Sequence, residues 1–178
     1  MQEQSGSTPI EELLTVPSWE DFYTNYVRRN RPVVLRGHAR YMKALERWTD
    51  DYLVQNWGER VIQVEMNKTE TRGGPAKDMK LRQFVAEMYK ESRAKELYAI
   101  VDFDDDPKAK KDVDMPAPLR CREVLPQSLT LWWSSGGTSS VLHQDDAENF
   151  LMLIDGSKTV MLVHQDQSQN IYAPIAEA

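Results

Sequence analysis

His143-Gln144-Asp145 is the triplet whose residue types and spacing could hold a metal. On a β-strand successive side chains alternate faces, so residues two apart point the same way. His143 and Asp145 then aim an imidazole and a carboxylate at one point, while Gln144 faces away. That donor pair suits a borderline-hard metal such as Fe(II), and would supply two of the three ligands of a 2-His-1-carboxylate facial triad. A lone H-x-D triplet is common by chance. The residues that follow it carry the argument further.

Residues 148–154 (ENFLMLI) and 157–163 (SKTVMLV) are apolar runs of strand length, separated by Asp155-Gly156. An Asp-Gly pair in that position predicts a two-residue hairpin. Leu153 then lies opposite Lys158, Leu151 opposite Val160 and Asn149 opposite Leu162, and cross-strand partners share a face. Lys158 and Asn149 therefore join Leu151, Leu153, Val160 and Leu162 on one face. A lysine on an apolar face is costly unless an anion meets it. The alternative is an exposed face on which Lys158 is a solubilising charge.

The run from Thr138 to Lys158, TSSVLHQDDAENFLMLIDGSK, resembles the core of the JmjC/cupin-8 family of Fe(II)- and 2-oxoglutarate-dependent oxygenases. The likeness is strongest over residues 129–174 and looser back to residue 18. It implies that His143 and Asp145 bind iron. It also implies that Lys158, fifteen residues after the histidine, pairs with the distal carboxylate of 2-oxoglutarate, with Ser140 and Asn149 beside it. The implied activity is hydroxylation of a protein side chain, with release of succinate and CO₂. In the family a second histidine arrives from a later strand. His164 is the candidate here, but it sits where the family enters a loop before a Tyr-Pro-like segment, in this chain Tyr172-Ala173-Pro174. The expectation is therefore a chain that stops short of the distal iron ligand.

Length and composition bound these readings. The chain has 178 residues, enough for one domain of common size, and a net charge of -6. That balance argues against phosphate-backbone binding as the main activity, since a nucleic-acid footprint is basic. No apolar run has the length of a membrane span, and the N-terminus lacks the basic and apolar regions of a secretory signal. A single cysteine, Cys121, leaves no internal disulfide and fits a reducing compartment, cytoplasmic or nuclear.

The elements that must position the site can be read in order. Residues 1–17 are expected to lack order. Ser18 reads as a helix N-cap, and Trp19, Phe22, Tyr23, Tyr26 and Val27 form an amphipathic stripe of core packing. Residues 31–37 (RPVVLRG) read as a strand entered through proline and left through glycine, with His38 as an exposed loop residue. Thr49 caps a short helix that Gly58 stops, and Ile62, Val64 and Met66 mark a half-buried strand. Residues 69–76 carry Gly73-Gly74-Pro75 and read as loop. Asp78 caps a helix whose face is Leu81, Phe84, Val85 and Met88, and residues 97–101 (LYAIV) form a strand. Residues 102–118 read as a solvated, mobile, acidic loop near the substrate mouth, without the spacing of an EF-hand.

Residues 129–134 (LTLWWS) form the next strand, and Ser139 begins the one carrying Val141, His143 and Asp145. Trp132 or Trp133 lines the cofactor pocket or packs in the core. The fold class is α+β, mainly β. It is expected to be an incomplete double-stranded β-helix of the cupin or jelly-roll type preceded by N-terminal helices. Its organisation is residues 18–128 as an N-terminal portion and residues 129–178 as the first half of the cupin core. About four of the roughly eight core strands of such a fold are legible. Fe(II) and 2-oxoglutarate are the implied cofactor and co-substrate, and a protein the implied partner. An open sheet edge would promote self-association. Two further classes stand beside the enzyme: a non-catalytic cupin-like binding module, and a degenerate fragment.

Overall fold

The computed structural model describes residues 8–68, 75–90 and 97–171, with the backbone of 176–177. The expectations for residues 1–7, for the loop at Gly73-Gly74 and for Tyr172 to Pro174 lie outside the described residues. The architecture is α+β, centred on an antiparallel sheet.

Four strands make that sheet: β3 (Val61–Met66), β4 (Ala76–Lys80), β5 (Leu97–Asp102) and β6 (Thr130–Ser134), in the order β4-β3-β5-β6. Alternation sorts their side chains onto two faces. Ile62, Val64, Leu97, Ala99 and Val101 are buried on one face. Two helices cover it, α3 (Asp50–Trp57) and α4 (Leu81–Met88), through Leu53, Trp57, Leu81, Phe84 and Met88. Trp133 joins this core edge-on to Phe84, with ring centroids 5.3 Å apart. Each large apolar side chain fully buried here contributes about 1.5–3 kcal/mol.

The helices start where their caps dictate. Thr49 accepts from the Tyr52 amide at 3.3 Å, with Asp50 and Asp51 in the first turn to favour the helix dipole. At Gly58, where α3 ends, a Cβ would collide with the Val54 carbonyl. The cap of α4 differs from expectation. Asp78 lies within β4, and the Gln83 side chain instead accepts from the Lys80 amide at 3.0 Å, one arm of a capping box.

Ahead of the sheet, α1 (Trp19–Asn25) is capped by Ser18 as the sequence implies, and it buries Phe22. Tyr26, just beyond it, is buried as well, while Tyr23 is exposed. Two short strands, β1 (Glu11–Leu13) and β2 (Val33–Leu35), pair in parallel. The expectation of disorder over 1–17 therefore fails at β1. Two ion pairs lock it to β2, Arg31 with Glu11 at 3.0 Å and Arg36 with Glu12.

The acidic stretch after β5 is also corrected. It is not a solvated loop, because its carboxylates serve as acceptors for packed helices. Asp106 caps α5 (Pro107–Asp112) through the Lys108 and Ala109 amides, and also accepts from the Trp57 indole at 2.6 Å and Arg60 at 3.2 Å. Asp112 is buried, and accepts from Tyr52 at 2.6 Å, from Arg47 at 2.9 Å and from Trp48 at 3.3 Å. Arg47 and Trp48 lie at the end of α2 (Lys43–Arg47). Phe103 is fully buried against Trp48 and Trp57.

After β6 the regular structure thins. Among the described residues, only β7 (His143–Gln144) and β8 (Ala176–Glu177) pair again, in parallel. The expected hairpin does not form a ladder among the described residues. Gly156 takes φ +76°, but Asp155 stays outside the left-handed region, so the turn is not the type I′ form that the Asp-Gly pair favours. Leu151, Leu153, Val160 and Leu162 are exposed, while Phe150 packs against Phe22 at 6.0 Å. A two-stranded hairpin without a face to pack on is marginal, which is the physical reason the ladder is missing. Among the described residues no helix is long and apolar enough to cross a membrane.

Candidate metal and co-substrate site

His143 and Asp145 stand as alternation implies, on the same side of the chain at β7. The His143 Nε2 and Asp145 Oδ1 atoms are 3.6 Å apart. The other ring nitrogen, Nδ1, lies 2.8 Å from the Val141 carbonyl. If Nδ1 carries the proton and donates it there, Nε2 keeps its lone pair, the state in which imidazole ligates metals. Asn149 donates to Asp145 Oδ2 at 2.5 Å, which holds the carboxylate with Oδ1 toward the histidine. The donor set fits a divalent ion: two ligand atoms each about 2.1 Å from one ion are at most ~4.2 Å apart. Both side chains are half-exposed, so the point they share is open to solvent.

No group of three His, Cys, Asp or Glu side chains suited to a metal occurs among the described residues. His164 does not join His143. It caps the 3-10 turn Gln165–Asn170, accepts from the Asp166 amide at 3.3 Å and faces the Asp166 carboxylate at 3.3 Å. His38, read as an exposed loop residue, is half-buried, and both of its ring nitrogens are covered.

The co-substrate residues are placed less evenly. Tyr98 is a buried residue of β5. Burial raises its pKa above the ordinary value, the nearby Glu65 carboxylate raises it further, and the neighbouring Ser140 hydroxyl works the other way. Asn149 is engaged with Asp145 rather than turned toward Ser140. Lys158 is exposed and makes no ion pair with any described residue, and without the hairpin ladder the apolar face expected around it is not formed.

Tyr98 is the residue that motif reading missed. The register puts it opposite Glu65 of β3 and Ser134 of β6, on the sheet face away from α3 and α4. Trp132 shares this face, with its ring centroid 5.8 Å from that of Tyr98, while Trp133 points into the core. The available signal was the alternation in LYAIV, where Tyr98 stands out of phase with Leu97, Ala99 and Val101. A tyrosine there buries its ring and keeps a polar handle for the site.

The cupin-like domain family matches residues 19–177. Lysine-specific demethylase 8 of Xenopus tropicalis is 27% identical over 164 residues, covering 89% of this chain and 37% of that protein. Jumonji C domain-containing protein 5 of Drosophila melanogaster is 26% identical over 175 residues, covering 89% of this chain and 42% of the relative. Lysine-specific demethylase 8 of Danio rerio is 26% identical over 174 residues, 92% of this chain and 43% of the relative. The chain thus spans about two-fifths of the length of these curated relatives.

Proposed function

The chain belongs to the cupin-like domain family, and from that premise we propose that it serves a JmjC-type oxygenase that hydroxylates a protein side chain. Bound Fe(II), with 2-oxoglutarate and O₂, supplies the oxidising chemistry, and the protein supplies binding, orientation and electrostatics. His143 and Asp145 hold the metal through Nε2 and Oδ1. Val141 and Asn149 orient those two ligands, a role whose loss typically costs 10–100-fold in metal affinity. Ser140 and Tyr98 offer hydroxyls to the co-substrate, and Lys158 meets its distal carboxylate. The single observation that carries this reading is the convergence of His143 and Asp145, locked by Asn149.

A second reading, a cupin-like module that binds metal or carboxylate without turnover, draws on the described residues offering two ligands rather than three. The test is calorimetric titration of 2-oxoglutarate with redox-silent Mn(II), followed by succinate release under Fe(II) and air. Metal-dependent binding that His143→Ala abolishes, together with succinate release, supports the oxygenase. The same binding without succinate release supports the module. Binding indifferent to both Mn(II) and His143→Ala removes the site.

A further inference from the structure

Charge is distributed unevenly along this chain. Of its 22 basic residues, Arg28, Arg29, Arg31, Arg36, Arg40, Lys43 and Arg47 fall within residues 28–47, against one acid, Glu46, although the net charge is -6. Arg31, Arg36 and Arg47 are engaged within the fold, by Glu11, Glu12 and Asp112. Arg28, Arg29, Arg40 and Lys43 are exposed and make no ion pair with any described residue. These four bracket β2. Arg28 and Arg29 lie in the single helical turn Val27–Arg29 before it, and Arg40 and Lys43 follow it, in the turn His38–Tyr41 and at the start of α2. Local structure accounts for only part of this pattern. A helix C-terminus favours cations, which suits Arg28 and Arg29. Lys43 opens α2, the end at which a positive charge is disfavoured. Arg40 lies over the exposed ring of Tyr41, 4.9 Å from its centre, and donates to its hydroxyl at 2.8 Å. Arginine and tyrosine are the residue types that anchor interfaces, and here they hold each other in place in solvent.

We infer that the surface around β2 docks an acidic segment of a protein partner. Its carboxylates meet Arg28 and Arg29 at one end and Arg40 and Lys43 at the other, with Tyr41 as the anchor. An extended segment of about six residues, at roughly 3.3 Å each, spans β2 and its flanks. A peptide fits this surface better than a nucleic acid does. Glu11 and Glu12 stand half-exposed alongside β2, where they hold Arg31 and Arg36. A phosphate backbone carries a charge at every nucleotide and would run onto those two carboxylates and onto the acidic remainder of the chain. A peptide can place neutral residues opposite them. The inference stands apart from the oxygenase reading and does not depend on it.

The experiment follows the fluorescence anisotropy of a labelled glutamate-rich peptide as the full chain is added. The same peptide with glutamine for glutamate, and a single-stranded RNA of equal charge, run beside it. The glutamate peptide should bind and the glutamine peptide should not, and added salt should weaken binding as it screens the exposed cations. Arg28→Gln with Arg29→Gln, and Arg40→Gln with Lys43→Gln, should each weaken binding about threefold. All four together should weaken it about tenfold, the scale of exposed ion pairs. Lys77→Gln with Lys80→Gln, which removes two exposed cations of β4, should leave the affinity unchanged. Absence of peptide binding, no loss in the combined variant, or an equal loss in the β4 variant overturns the inference. Tighter binding of the RNA than of the peptide also overturns it, and makes the surface one for nucleic acid.

Discussion

Two regions of the molecule are built from similar apolar residues and reach different states. In β3, β5 and β6, apolar side chains at alternate positions find α3 and α4 across from them, and Val64, Leu97, Val101 and Phe84 are buried almost completely. Residues 148–163 are also rich in apolar side chains, yet Leu151, Leu153, Val160, Met161 and Leu162 stay exposed and the two runs form no ladder. The first region has a complementary layer to pack against, and the second has none among the described residues. Chemistry is divided in the opposite sense. His143, Asp145 and Asn149 lie in the thinly packed region, and Tyr98, Glu65 and Ser134 lie on the face of the packed one turned away from α3 and α4. The two candidate ligands thus belong to the segment that forms no ladder, and Tyr98 belongs to the sheet.

The sharpest way to break this contrast is in the core. Phe103→Ala removes a fully buried ring packed against Trp48 and Trp57, 5.5 and 4.9 Å away between centroids. It should cost about 3–5 kcal/mol in denaturant unfolding followed by tryptophan fluorescence. A loss below about 1 kcal/mol would show that the packed region is not the stabilising unit.

Next comes the carboxylate hub. Asp112→Ala leaves the Tyr52 hydroxyl and Trp48 indole without their acceptor and should cost about 2–4 kcal/mol. The pH dependence has a definite sign. Burial of Asp112 and of Asp106 opposes ionisation. Hydrogen bonds from Tyr52, Trp48 and Arg47 to Asp112, and from Ala109, Trp57 and Lys108 with the charge of Arg60 at Asp106, outweigh it, so both pKa values fall below the ordinary carboxylate value. Their stabilisation is therefore present above about pH 4 and lost as the pH falls through the depressed values. Acid titration of the unfolding free energy should show this slope, and Asp112→Ala should flatten part of it.

In the thinly packed region the expected effects shift from stability to binding. Lys158→Ala should weaken 2-oxoglutarate binding by about tenfold, ~1.4 kcal/mol, while leaving the unfolding midpoint unchanged. Unaltered affinity in calorimetry would remove Lys158 from the subsite. The smallest effect belongs to Leu153→Ala, which trims a side chain already half in solvent. It should change stability by no more than about 0.5 kcal/mol. A core-sized loss there would mean that the segment is covered in solution, by a second copy or another partner, and concentration-dependent light scattering would separate those cases.

Elements specified by short-range rules were legible in the sequence. The caps at Ser18 and Thr49, the stop at Gly58, the alternation of Ile62 and Val64 and the face of Leu81, Phe84 and Met88 follow from local geometry, and the structure has them. The proximity of His143 and Asp145 was equally local, because residues two apart share a side. What depended on distant partners was not legible. β1 pairs with β2 some twenty residues along the chain, with Glu11 and Glu12 meeting Arg31 and Arg36 at its side, and the acidic stretch is ordered where Asp106 and Asp112 meet Trp57, Arg60, Arg47 and Tyr52. The hairpin at Asp155-Gly156 failed for the same reason in reverse, since a turn signal cannot form a ladder when neither strand has a face to bury. Tyr98 was placed between Glu65 and Ser134, on the sheet face turned away from α3 and α4, only by the register of β3, β5 and β6. The sequence by itself determined which residues could ligate a metal and which short elements surround them. The tertiary structure decided which charges meet, because a charge leaves water only when a partner, often far along the chain, is there to receive it.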